Sequence, residues 1–276
     1  MYNKQIRIFL VIGLVVSWIL VFGYGLLRNY QLRHRPVNSS IEGSKQSVPQ
    51  LNEALRLLKE RKDRQAMQIF EMILLDEPEN LNALWGKAEV LRRTRKFDVS
   101  ESILKGILEK NPEHAPSLIS LAYIRYKYGN LRNAQELIEQ ALEVKGLDKE
   151  NAAIAYLMQG TINSKRSQSG GFLNKIFYGT QIKGYFLKAK NFAPDLPEVR
   201  LGLGTFYLLA PGFAGGNQKN ALEELEAAVK LAPDFATANA RLAQAYQKAG
   251  NLEKYNFYLQ KAKKLDPENE VVEELR

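Results

Sequence analysis

The chain contains no cysteine and only two histidines. Without thiols there is no disulfide, no thiolate metal site and no cysteine nucleophile, although disulfide-free proteins occur in every compartment. His34 lies in a basic stretch and His114 in a proline-flanked turn, so neither has a second imidazole beside it, and both read as surface residues. Two isolated histidines leave no Ser-His-Asp constellation, and neither a P-loop nor a dinucleotide fingerprint occurs. The glycines of "GLGTF" sit inside a helical pattern instead of following a strand. Glu223, Glu224 and Glu226 read as one solvated helical run. Neither catalysis, nor a metal, nor a cofactor is expected.

Acidic residues are scarce at the amino terminus. Lys4, Arg7, Arg28, Arg33, Arg35 and Lys45 face the single acid Glu42, so the first fifty residues hold +5 of the +9 net charge. The basic residues flank "IFLVIGLVVSWILVFGYGLL", residues 8–27, which has no charge and as a helix spans about 30 Å, the thickness of a hydrocarbon core. A cleaved signal peptide would have a shorter apolar region and a small-residue cleavage site, yet no alanine precedes Ala54. The expectation is a tail over 1–7, one transmembrane helix over 8–27 and a flexible linker over 28–46, whose polar, turn-rich composition buries little. That places the chain as a single-pass protein, in a bacterial inner membrane with the C-terminal domain exported. Elsewhere Lys and Arg alternate with acids instead of forming one stripe, so no nucleic-acid partner is expected.

Prolines mark the remainder: "DEPEN" at Pro78, "KNPEH" at Pro112, "FAPDLPE" at Pro194, "LAPDF" at Pro233 and "LDPEN" at Pro267. Pro78 to Pro112 and Pro233 to Pro267 are both 34 residues apart, a period that signals stacked supersecondary units. Each proline closes an amphipathic helix such as "NALEELEAAVKL", and another helix precedes it, so the unit is a helix pair. Gly129-Asn130 and Gly250-Asn251 supply the left-handed turn within the pair. Small residues recur where the two helices cross: Ala88, Ala122, Gly204 and Ala243 on first helices, and Ala66, Ser100, Ala134 and Ala221 on second helices. Eight residues before the prolines stand Phe70, Leu104, Phe186, Leu225 and Leu259, which fill the gap between them.

This small/large/proline spacing resembles the tetratricopeptide repeat family over about residues 47–269, best in "LISLAYIRYKYGNLRNAQELIEQALEV" and "ANARLAQAYQKAGNLEKYNFYLQKAKKLDPEN". The units are 47–80, 81–114, 115–148, 149–196, 197–235 and 236–269, with 270–276 as a C-terminal cap. The resemblance implies an all-α fold, a right-handed solenoid of antiparallel helix pairs whose first helices line a concave groove used for peptides or partner proteins. A subset of the family clamps a chaperone's C-terminal carboxylate. At the equivalent places this chain has Trp85, Glu89, Ser120, Glu198 and Gly202, so that clamp is absent. Residues 211–235 also resemble the T component family of TRAP transporters, although Asn217 replaces its acid and the lipoprotein cysteine is missing.

Superposing the units puts Asn82, Trp85, Glu89, Arg92 and Arg93 on the groove face, followed by Ile119, Tyr123, Tyr126 and Lys127. Aromatic anchors flanked by cations suit an extended peptide with a carboxylate; the plainer alternative is that the rings fill space between first helices. Two units exceed the period. "SKRSQSGGFLNKIFYG" adds about fourteen residues, and "PGFAG" adds five before Gly216-Asn217. Both read as enlarged hairpin loops on one edge, with Phe172, Phe177 and Tyr178 packing near Pro211 and Phe213; they either grip something or cover one another. The expected function is a membrane-anchored scaffold that binds a protein or peptide through the groove or these loops. The alternatives are an accessory ligand-binding subunit of a transport system, and a cytoplasmic regulator of an enzyme or nucleic acid.

Overall fold

The computed structural model describes the backbone of residues 37–169 and 171–275. Every regular element among them is helical. The apolar run 8–27 lies outside the described residues, and among those described no helix is long and apolar enough to cross a membrane. The expected placement as a single-pass inner-membrane protein is corrected on that finding. The chain divides into two units, Met1–Val48 and Pro49–Arg276. Of the first, only the start of α1 (Val37–Lys59) is described. Residues 37–46 are thus helical where a flexible linker was expected.

The second unit is a stack of antiparallel helix pairs. After α1 come α2 (Asp63–Asp76), α3 (Leu81–Arg93), α4 (Phe97–Lys110), α5 (Ala115–Lys127) and α6 (Leu131–Glu143). Then follow α7 (Lys149–Ser169), α8 (Phe172–Phe192), α9 (Pro197–Leu209), α10 (Gln218–Leu231), α11 (Ala236–Lys248), α12 (Leu252–Leu265) and the short α13 (Glu270–Glu274). Sequence chemistry sets the ends. Asn80, Asn130, Asn217, Asn251 and Asn269 each turn a side-chain oxygen onto a backbone N–H of the helix that follows, satisfying a donor that has no partner within the helix. Gly129 and Gly250 adopt the left-handed backbone at their hairpins, with φ of 78° and 75°.

The small residues read from the period lie at the helix crossings. Ala66, Ala88, Ser100, Ala122, Ala134, Ala221 and Ala243 are fully buried, and so are Phe70, Leu104 and Leu225 between them. The Ser100 hydroxyl donates to the Ala88 carbonyl at 2.7 Å, which satisfies a buried polar group inside the crossing. Two further small positions were not legible in the period. A methyl group on Gly86 would meet the Phe70 ring at 2.2 Å, and one on Gly160 the Phe186 ring at 2.4 Å.

The fourteen extra residues do not form a loop. They lengthen both helices of one pair, so that α7 and α8 have 21 residues each while α3 to α6 have 13 or 14. The reason is composition: no proline interrupts the stretch, and its glycine pair, Gly170-Gly171, falls between the two helices. Arg166 lies 5.4 Å from the Tyr178 ring centroid and Asn163 donates to Gln181 at 3.3 Å, tying the extended arms together.

Candidate functional site

Antiparallel pairs give the stack two edges. One carries the turns inside each pair, the hairpin edge; the other carries the turns between pairs. First helices α3 and α5 lie side by side, and the structure brings most of the expected groove residues together on them. The indole N–H of Trp85 donates to Ser120 Oγ at 3.1 Å, and that hydroxyl donates to Glu89 Oε2 at 3.0 Å. Arg92 grips Glu89 through two hydrogen bonds of 2.8 and 2.5 Å, while its guanidinium lies 4.1 Å from the Tyr123 ring centroid. Tyr123 and Tyr126 are tilted neighbours with centroids 6.2 Å apart. Lys127 is ion-paired to Glu270.

Charge at this face is balanced. Glu89 is 6% exposed. Its burial opposes ionisation, but Arg92 and then Arg93 and Ser120 outweigh that penalty and hold the carboxyl well below the usual carboxylate range. Burial likewise works against Arg92 and Arg93, and Glu89 keeps both firmly cationic. Arg93 also donates to Asp63 and to the Leu58 carbonyl, both at 2.7 Å. Burial and the like charge of Arg93 push Arg61 down to about 10. Arg61, Arg92 and Arg93 therefore meet three carboxylates, those of Asp63, Glu89 and Glu198. Tyr126 rises above its ordinary value through burial, then the neighbouring Tyr123 and Glu270.

Sequence reasoning missed that the hairpin edge of the first three pairs touches the other edge of the later ones. Arg61 Nη2 donates to Glu198 Oε1 at 2.6 Å, and its guanidinium lies 3.7 Å from the Phe235 ring centroid. Arg93 reaches the same Glu198 oxygen at 3.7 Å. Arg95 donates to Asp266 at 2.9 Å and to the Glu268 carbonyl at 2.8 Å. Lys59 pairs with Glu150, and Lys127 with Glu270, across the same divide. The fit is incomplete, because Arg61 Nε and Glu198 Oε2 are buried without a protein hydrogen-bond partner.

A sequence signal for this contact exists. Arg61-Lys62 and Arg95-Lys96 occupy the hairpin positions that Gly129-Asn130 and Gly250-Asn251 hold elsewhere. Arg61 and Arg95 are the non-glycine residues with positive φ among those described, at 65° and 61°. A left-handed backbone costs a non-glycine residue about 1 kcal/mol. Lys62 and Lys96 make no side-chain cap, which forgoes about another 1 kcal/mol per helix.

The insertion residues separate. Phe172 opens α8. Phe177 is 62% exposed and edges the half-buried Tyr178 ring at 5.1 Å. Phe213 is 96% exposed, so the expected packing of these rings against it is not formed. Pro211 leads instead into a tight 3-10 turn, Gly212–Ala214. Its carbonyl accepts from Ala214 and Gly216, and the Asn217 N–H donates to the Tyr207 carbonyl at 2.9 Å. Gly215 has φ of 99°, and a side chain on Gly216 would collide with the Ala210 carbonyl at 1.9 Å. The turn is closed by backbone hydrogen bonds and displays its ring. Two other expectations are corrected. His114 is buried, with Nδ1 2.8 Å from Ser117 Oγ, and burial lowers its pKa. Glu224, expected in solvent, is buried against Lys190 and Arg200.

Residues 236–269 match the tetratricopeptide repeat family. Superkiller protein 3 of Schizosaccharomyces pombe is 29% identical over 184 residues, which cover 63% of this chain and 13% of that protein. The chain thus spans a small part of that relative's length. Among solved structures, TTC0263, a thermophilic TPR protein of Thermus thermophilus, is 17% identical with a TM-score of 0.56, covering 71% of this chain and 96% of its own. The human IFIT1 dimer with PPP-AAAA is 21% identical with a TM-score of 0.56, over 83% and 52% of the two chains. The resemblance of 211–235 to the TRAP T component gains no support from these matches. The chain carries a tetratricopeptide repeat and has the helical solenoid fold of tetratricopeptide-repeat proteins.

Proposed function

We propose that this chain is a protein-interaction scaffold that holds a peptide or partner protein against the faces of α3 and α5. The observation that carries the reading is the half-buried pair Tyr123 and Tyr126, set between Trp85, Arg92 and Lys127. Such rings offer large contact area at little entropic cost. Binding fits better than catalysis: Glu89 and Glu224 are committed to arginine and lysine partners as ionic struts, an arrangement unsuited to proton transfer. Phe213 favours a second contact surface, because a hydrogen-bonded turn that displays an aromatic ring offers a partner an exposed anchor.

Crosslinking capture with the full chain tests both surfaces. Truncating an aromatic anchor costs about 2 kcal/mol or more, which is about 30-fold in affinity. Tyr123→Ala combined with Tyr126→Ala should therefore lose the partner, and Phe213→Ala should weaken capture. Retention of every partner by both folded variants would overturn the reading.

A further inference from the structure

We infer that the solenoid is latched shut by its own charges and that, because the latch engages Arg93 of α3 and Lys127 of α5, it must open before the face of these helices admits a partner; the second half rests on the proposed function above. The two edges that meet are complementary. Lys59, Arg61, Arg93, Arg95 and Lys127 stand on the hairpin side, and Glu150, Glu198, Asp266 and Glu270 on the other. The buried apolar clusters of the described residues join helices that follow one another along the stack, and none joins these two edges. What holds the seam is long charged side chains, with Arg61 on the Phe235 ring as its aromatic contact.

Three observations distinguish a latch from a core. The central pair, Arg61 with Glu198, is largely buried, whereas Lys59, Glu150, Arg95 and Glu270 are substantially exposed and open to screening by salt. The seam leaves polar atoms of both central partners unsatisfied, as a contact that opens can tolerate. The third is the strongest. At two hairpins on this side, arginine replaces the glycine and lysine the capping asparagine that Gly129-Asn130 and Gly250-Asn251 supply, and both arginines themselves reach across, so at these two turns local backbone preference has yielded to the cross-seam contact. A strained turn kept at a contact between two elements is where bistable devices are found.

This chemistry yields a test in which folding and latching move in opposite directions. Arg61→Gly combined with Arg95→Gly relieves both left-handed turns, so the helices and thermal stability should be preserved or improved, while the central Arg61–Glu198 pair and the Arg95–Asp266 pair are removed. Because the native chain has no cysteine, spin labels at Lys96→Cys and Lys264→Cys, both exposed, report the seam in the full chain. The unaltered turns should give one short, narrow distance distribution at low salt, moving outward and broadening in about 1 M salt, where the Debye length is about 3 Å. The Arg61→Gly/Arg95→Gly variant should show the outward shift already at low salt and capture more partner. An unchanged distribution in a folded variant overturns the latch. A seam that opens without any gain in capture overturns the gating, and the Tyr123→Ala/Tyr126→Ala capture decides separately whether α3 and α5 form the binding face.

Discussion

Gly86 is kept without a side chain by the ring of Phe70, itself fully buried, whereas Gly106 in α4 has open space where a methyl group would go. The same substitution should therefore have opposite signs at the two sites. Gly86→Ala overpacks a crossing and should destabilise by about 1–3 kcal/mol. Gly106→Ala only improves helix propensity and should stabilise by about 0.5–1 kcal/mol. Urea unfolding of the two variants checks both. Glu89 gives a pH dependence. Its folded pKa lies below that of the unfolded chain, so its contribution is fully present above about 4.3 and is lost as pH falls further, through the folded value. Glu101, lowered first by its hydrogen bond to Arg125, acts in the same direction. Stability should thus fall below about pH 4.3, and Glu89→Gln should flatten that acid limb of a thermal-melt series.

At the scale of the element, caps and lengths decide. Asn251 accepts from the Lys254 N–H at 3.0 Å, so Asn251→Ala should cost about 1 kcal/mol. Lys96→Asn should add up to about 1 kcal/mol by supplying the cap that α4 lacks. The crossings were legible because proline spacing fixes where each pair turns, and only small residues such as Ala88 and Ser100 fit where two helices touch. The extension of α7 and α8 was not legible. A run of extra polar residues with a Gly-Gly in it reads as a loop, and only the facing contacts of Arg166 with Tyr178 and Asn163 with Gln181 show two arms packed together. Trp85, Arg92 and Tyr123 were placed on one face by superposing repeats, yet their use of Ser120 and Glu89 as internal partners depended on neighbouring helices that the pattern does not locate.

The meeting of distant hairpins belongs to the stack as a whole and to no repeat within it, so the repeat pattern assigns Arg61 and Arg95 no partner. Their left-handed backbones reveal what the period alone hides. The central claim is that partner binding uses the faces of α3 and α5. Hydroxyl-radical footprinting of the full chain, alone and with its captured partner, tests this most directly. Oxidation of Trp85, Tyr123 and Tyr126 should fall several-fold on binding, while the exposed Phe257 of α12 stays unchanged. Unchanged oxidation of Trp85, Tyr123 and Tyr126, with protection confined to Phe213 or Phe257, would contradict it.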